Sequence, residues 1–254
     1  MLTSVRSLLA ASFLVGTALA ATPAFAQDEG AESPITVSGN VALTTDYRFR
    51  GVSLSGGDIA IQGGVDVAHE SGFYVGTWAS SIQGGTAYGE VELDVYGGWT
   101  GEVAEGVTID AGLLYYVYPT TDDPLNLDPD TDYFEPYASV ATTIGPVGAT
   151  VGVAYAWEQD SLGGNDNLYL YTDFALGVPG TPLTVTAHGG YTDGVLAPPF
   201  LAGTADDTGL DWSLGLSANV YGGLSLGVSY VGVEGPSIDG FTDDTVLATI
   251  SFAG

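Results

Sequence analysis

The chain has 254 residues, with 31 acidic side chains against three basic ones, a net charge of −28, and no cysteine. That balance excludes nucleic-acid binding by phosphate neutralisation and electrostatic docking on anionic lipid. It also excludes a disulfide framework, thiolate metal sites and a cysteine nucleophile. Acid-rich chains are often disordered, but such chains are poor in aromatics; this one carries 15 Tyr, 9 Phe and 4 Trp, which need a place to be buried or embedded.

The amino terminus reads as an export signal. Arg6 gives a weakly positive start, an apolar and small-residue run follows from Leu8 to Ala20, and Ala24-Phe25-Ala26 fits a cleavage site. We expect residues 1–26 to be removed, 27–37 to form a short periplasmic segment, and 38–254 to form one domain. Past the signal, Arg48 and Arg50 are the chain's basic side chains.

From residue 38 onward the hydrophobic period is two. Val41, Leu43, Thr45, Tyr47 and Phe49 alternate with Asn40, Ala42, Thr44, Asp46, Arg48 and Arg50. The same rhythm runs through Val91, Leu93 and Val95 against Glu90, Glu92 and Asp94, and through Val151, Val153, Tyr155 and Trp157 against Gly152, Ala154, Ala156 and Glu158. On a strand, alternate side chains point to opposite faces, so each segment has an apolar and a polar face. About 12 such segments, each about 8–12 residues, fit the length of a tilted strand crossing hydrocarbon. They lie near 38–50, 59–70, 73–80, 87–99, 107–118, 132–143, 149–158, 167–177, 183–192, 211–221, 224–233 and 245–252.

The connections alternate in length. Short Gly- or Pro-bearing turns, such as Ser71-Gly72 and Gly222-Gly223, are interleaved with long Asp-, Gly- and Pro-rich loops, such as 119–131 and 193–210. Short turns at one end and long loops at the other predict an all-β, up-and-down antiparallel transmembrane β-barrel, with both termini at the short-turn, periplasmic end. Tyr47, Phe49, Tyr115, Tyr155, Trp157, Tyr191, Trp212 and Tyr230 fall near the long-loop ends of strands. Phe73, Trp99, Phe174 and Phe252 fall near the short-turn ends. Two aromatic girdles at the headgroup levels are the expected reading.

Asp46-Tyr47-Arg48-Phe49-Arg50-Gly51, Gln62-Gly63-Gly64, His69-Glu70-Ser71-Gly72-Phe73-Tyr74-Val75-Gly76 and Glu92-Leu93-Asp94-Val95-Tyr96-Gly97-Gly98 carry a family resemblance. Over residues 38–98 the chain resembles the TorF-like porin family, a conserved proteobacterial family of unknown function. The resemblance implies an outer-membrane barrel with a transport role, and it brings neither an agreed substrate nor catalytic residues. Many such proteins end on an aromatic residue, whereas here Phe252 is followed by Ala253 and Gly254.

Candidate pore-lining residues follow from the polar parity: Asp46, Arg48, Arg50, Asp66, Glu90, Glu92, Asp94, Asp110, Glu158 and Asp173. On strand 1 the two arginines are expected to face the lumen, opposite lipid-facing Tyr47 and Phe49. They would act as a charge constriction against an acidic wall, as braces to neighbouring carboxylates, or as both. Asp128, Asp130 and Asp132 recur at alternate positions like part of a calcium loop, but without its glycine and closing glutamate they read more simply as a solvated acidic loop. No cofactor is expected. His69 and His188 have no second histidine at metal spacing, and Gly223-Leu224-Ser225-Leu226-Gly227 lacks the strand–turn–helix setting of a nucleophile elbow.

The sequence thus favours a non-enzymatic outer-membrane porin passing small neutral or cationic solutes, with lipid and lipopolysaccharide as its surroundings. A closed structural or adhesive barrel with binding loops is the alternative. More remote are an outer-membrane hydrolase built on His188 and a soluble periplasmic all-β protein.

Overall fold

Alternation of this kind can bury its polar backbone only by pairing every strand on both sides, and a ring of strands does so without leaving an edge. The computed structural model describes residues 33–119 and 131–254; the segment expected to be the signal and most of the acidic loop lie outside them. In chain order the strands are β1 (Ile35–Thr44), β2 (Arg48–Phe49), β3 (Val52–Ser53), β4 (Ala60–His69), β5 (Phe73–Ser81), β6 (Val91–Ala104) and β7 (Val107–Val117). They continue with β8 (Tyr133–Ile144), β9 (Val147–Gln159), β10 (Asn165–Gly177), β11 (Leu183–Gly194), β12 (Thr208–Tyr221), β13 (Leu224–Val233) and β14 (Thr245–Ala253). Two helical turns, α1 (Gly85–Tyr88) and α2 (Pro198–Leu201), sit in long loops. No helix among the described residues is long and apolar enough to cross a membrane.

Twelve strands, β1 and β4 to β14, form one closed antiparallel barrel in which each strand pairs with its neighbours in sequence and β14 returns to β1. The seam runs from Asn40 opposite Ala253 to Thr44 opposite Thr249. The fold is the expected transmembrane up-and-down barrel, and the twelve expected segments each map onto a barrel strand.

Two boundaries differ instructively. β6 runs to Ala104 and β9 begins at Val147, so the short turns shrink to Glu105-Gly106 and Gly145-Pro146. The strand ends there are rich in Thr, Gly and Glu, so hydrophobic alternation fades before the ladder does. The larger difference is at strand 1. It begins at Ile35, inside the segment expected to be periplasmic, and ends at Thr44, not Arg50; residues 45–58 turn into the barrel, with β2 and β3 pairing as a separate small hairpin.

The wall sorts side chains as the parity requires. Phe73 is 64% exposed, and Val41, Val75, Val151, Phe174, Leu214, Trp212, Tyr230 and Phe252 also stand on the outer face. Tyr155 and Trp157 join them at the long-loop end. Tyr47 and Phe49 do not belong to a girdle. Tyr47 is buried inside the barrel, and Phe49 packs beside it in the same cluster.

Inside, tyrosine rings lie flat over glycines of the adjoining strand. A Cβ on Gly76 would strike the ring of Tyr96, one on Gly112 the ring of Tyr137, and one on Gly152 the ring of Tyr171. The rings thus lie along the wall, with their hydroxyls among the lumenal carboxylates. A Gly152→Val substitution is expected to lift Tyr171 off β9 and to lower unfolding free energy by about 1–3 kcal/mol, the usual cost of overpacking. Urea unfolding in detergent, followed by tryptophan fluorescence, checks this.

Candidate functional site: a hairpin folded into the lumen

The lumen differs from one end to the other. Toward the short turns, the inward positions Asn40, Glu102, Thr143 and Asn219 are exposed. Toward the long loops, the inward positions Ala60, Ser80, Glu92, Tyr116, Tyr133, Ala156, Asn167, Thr192 and Asp211 are buried. The hairpin of β2 and β3 fills that half.

Its tip is Arg50-Gly51, both left-handed, with φ of 48° and 78°. Two left-handed central residues make a tight two-residue turn of the type that matches strand twist. Gly51 is there because a Cβ would collide with Val233 and Asp211 of the wall. Arg50 is the one non-glycine with positive φ among the described residues. That conformation costs an L-residue on the order of 1–2 kcal/mol, so something must hold the arginine in place.

Glu135 holds it. Nη2 of Arg50 donates to Oε1 and Oε2 of Glu135 at 2.7 and 2.8 Å, and both side chains are buried. The guanidinium also lies 4.2 Å from the ring centroid of Tyr169 and 4.7 Å from that of Phe49. Tyr116 completes Glu135 by donating to Oε2 at 3.1 Å.

Arg48 fastens the base of the hairpin. Its Nε donates to Asp46, and Nη1 donates to the carbonyls of Gly51, Phe241 and Asp243. Nη2 donates to Oδ1 of Asp243 at 3.0 Å. Asp46 also accepts from the hydroxyls of Ser53 and Ser55, at 2.6 and 2.9 Å. Every nitrogen of Arg48 therefore has a partner.

The expected placement of Asp46, Arg48 and Arg50 on a barrel strand is thus corrected. The alternation is real, but it continues into a hairpin whose two faces both meet protein. A period-two pattern cannot distinguish that hairpin from a wall strand.

The remaining candidates divide. Glu92 accepts from Tyr47 at 2.6 Å and from Tyr118 at 3.1 Å, which ties the hairpin to β6. Asp94, two residues along β6, is 0% exposed and neither carboxylate oxygen has a hydrogen-bond partner. Asp66 accepts from Tyr96 at 2.6 Å and Asp110 from Tyr74 at 2.7 Å, both on the lumenal wall. Asp173 pairs with Nδ1 of His188 at 2.6 Å.

Glu90 and Glu158 are not in the lumen. Glu90 precedes β6 and is exposed at the rim. Glu158 sits where the β9–β10 register shifts, and lines a rim cleft with Tyr115, Asp132 and Phe134. In both cases the strand loses its regular pairing before the parity argument can apply. Of the acidic-loop candidates, Asp128 and Asp130 lie outside the described residues. Asp132 accepts from the Tyr118 amide at 2.9 Å and from the Tyr115 hydroxyl at 3.2 Å. No group of three His, Asp or Glu among the described residues has the spacing to hold a metal ion.

Sequence reasoning missed Glu135 and Asp211. Both share the inward parity of their strands, which is the signal that could have found them. Asp211 accepts from Nε2 of His188 at 2.9 Å, and Tyr169 donates to the same carboxylate oxygen at 3.2 Å. Each imidazole nitrogen of His188 therefore faces a carboxylate, and Nε2 also lies 2.9 Å from the Tyr169 hydroxyl. The Gly223–Gly227 stretch opens β13 as a plain strand.

The sequence matches, over residues 28–251, the family model described as a bacterial protein of unknown function, Gcw_chp. The chain belongs to the Gcw_chp family. No curated protein matches it in sequence. Solved structures similar to this Gcw_chp barrel are outer-membrane channels. The NanC porin is 8% identical with a TM-score of 0.55, over 86% of this chain and 98% of that one. The KdgM porin is 8% identical with a TM-score of 0.55, over 85% and 97%. The COG4313 outer membrane channel from Pseudomonas putida F1 is 12% identical with a TM-score of 0.52, over 88% and 96%. At these identities the likeness is one of fold: the chain has the porin-type barrel, and the proteins that share it are channels rather than enzymes.

Two measurements test the hairpin's anchors. Arg50→Met leaves Glu135 buried without its cation. It is expected to cost about 3–5 kcal/mol, much of it recovered by adding Glu135→Leu; equilibrium unfolding of the two variants decides. At the base, burial works against the ionised Asp243, but the hydrogen bond and charge of Arg48 outweigh it and lower its pKa below the ordinary value. A lowered carboxylate stabilises the fold above its ordinary pKa of about 4, and that stabilisation is lost as the pH falls through the lowered value. The thermal advantage of wild type over Asp243→Asn should be flat above about pH 4 and shrink below it.

Proposed function

We propose that the protein is an outer-membrane porin of a Gram-negative bacterium that passes small neutral or cationic solutes, with the inward hairpin as its constriction. The observation that carries this reading is the charge of the lumen. Asp66, Glu92, Asp94, Asp110, Glu135, Asp173 and Asp211 stand on the inner wall. Set against them are Arg50, which engages Glu135, and His188, which lies between Asp173 and Asp211; Arg48 is engaged by Asp46 and Asp243. Carboxylate-lined pores favour cations, and a free anion meets an unfavourable potential. In this respect the chain departs from the KdgM porin, which has been described in complex with disordered oligogalacturonate, a polyanion.

Placement among the TorF-like porins belongs to the same proposal, as does removal of residues 1–26 on export. The apolar outer wall with its two aromatic bands suits lipid and lipopolysaccharide as its surroundings. The burial of Asp94, Asn167 and Thr192 in the long-loop half favours a second reading, a barrel held shut by its hairpin.

Single-channel recording of the detergent-refolded full chain in a planar bilayer, under a KCl gradient, separates the two. Discrete steps with a cation-selective reversal potential are expected. A folded, inserted barrel without steps would overturn the porin reading in favour of the closed one.

A further inference from the structure

We infer that the wall around Asp94 is a binding site for a small organic cation carrying an alkylated ammonium group. This deepens the porin reading by naming the class of solute that pauses at the constriction, and it rests on that reading for its biological meaning.

Asp94 is the observation that asks for a ligand. It points into the barrel from β6, is wholly buried, and neither of its oxygens meets a donor. The carboxylates that act on it are Glu92 and Glu135, the second of which holds Arg50. Glu92 is engaged by Tyr47 and Tyr118, and Glu135 by Arg50 and Tyr116. Asp94 alone of the three has nothing. A buried carboxylate with no donor and two carboxylates for company is a costly arrangement unless a cation joins it.

The surroundings say which kind of cation. Across the ladder Asp94 faces Trp78 on β5 and Tyr116 on β7. Tyr47 meets Trp78 edge-on at 5.5 Å, and Tyr133 stacks on Tyr116 at 4.4 Å. All four rings are buried. A metal ion needs several oxygen or nitrogen ligands at short range, and the described residues offer no such group here. Aromatic rings beside a carboxylate instead suit a weakly hydrated cation that can lie against their faces. Asp94 has no exposed surface, so the cation reaches it only as the surrounding rings part; Tyr96, the next inward residue on β6 toward the short turns, is half-buried and is the neighbour that would give way.

The test is equilibrium binding to the detergent-folded full chain by isothermal titration calorimetry, which does not depend on conduction. Choline and tetramethylammonium should give saturable heats where sodium at equal ionic strength gives none. The uncharged isostere 3,3-dimethyl-1-butanol should bind at least about tenfold more weakly than choline. Asp94→Asn should weaken choline by about tenfold or more, a truncated partner of a buried charge. It should also fold at least as stably as wild type, since an unpaired buried charge is removed.

No saturable heat from either ammonium, equal binding of choline and its neutral isostere, or unchanged affinity in Asp94→Asn would overturn the site. A simply protonated Asp94 would give the first of these results. The comparison with the isostere uses wild-type protein, so it stands even if the variant misfolds. Binding without bilayer conductance would sink the porin reading and keep the site; conductance without binding would do the reverse.

Discussion

Ring closure is the constraint on which the rest of the structure depends. In hydrocarbon a backbone amide or carbonyl has no water to turn to, so a sheet that spans must pair its first strand with its last. β1 therefore carries β4 on one side and β14 on the other, and its inward residues are fixed by both ladders. Once the ring closes, parity decides which residues meet the outside and which meet the enclosed space. Glycines then decide how that space is lined. Where a neighbouring strand lacks a side chain, a tyrosine lies down over it, and for Tyr74 and Tyr96 the hydroxyl is carried to a carboxylate two strands away.

The enclosed space is acidic, and acid alone would leave carboxylates repelling one another in a poorly hydrated interior. Two solutions appear side by side. Phenol hydroxyls satisfy Asp66, Asp110 and Glu92 without adding charge. Two arginines, delivered on a hairpin rather than on the wall, satisfy Glu135 from the tip and Asp46 and Asp243 from the base. His188 supplies a third solution between Asp173 and Asp211. Delivering the arginines from a hairpin lets one guanidinium reach Glu135 on β8, five strands round the ring from β1, which a side chain rooted in β1 would have to stretch across the barrel to meet.

Much of this was legible in the sequence, because period-two alternation and turn chemistry are local. Twelve strands, their approximate ends, the short-turn and long-loop asymmetry and the inward parity of Asp66, Glu92, Asp94, Asp110 and Asp173 follow from residues a few positions apart. The inward turn after Thr44 was not legible. Asp46 to Arg50 alternates as the wall does, and only the contacts of Arg48 with Asp243 and of Arg50 with Glu135 show that the chain has left the wall. Those partners lie 195 and 85 residues further along, beyond the reach of any window. Glu90 and Glu158 failed for the opposite reason. They sit at strand ends, where the rim rather than the pleat sets direction. Gly51, directly after Arg50, was the local hint of a turn.

The same separation along the chain has a kinetic consequence. The hairpin is made early, between the first two wall strands, yet its tip is held by β8 and its base by the loop before β14. The tip's anchor arrives with β8, the sixth of the twelve wall strands, and the base's only with the loop before β14, and contacts so distant along the chain form late because long loops must close first. The hairpin must therefore spend much of assembly untethered and be enclosed as the last strands come round. The final ordering event is then the capture of two arginines by carboxylates that arrive after them. The long-loop half of the lumen would therefore be the last part of the molecule to fill.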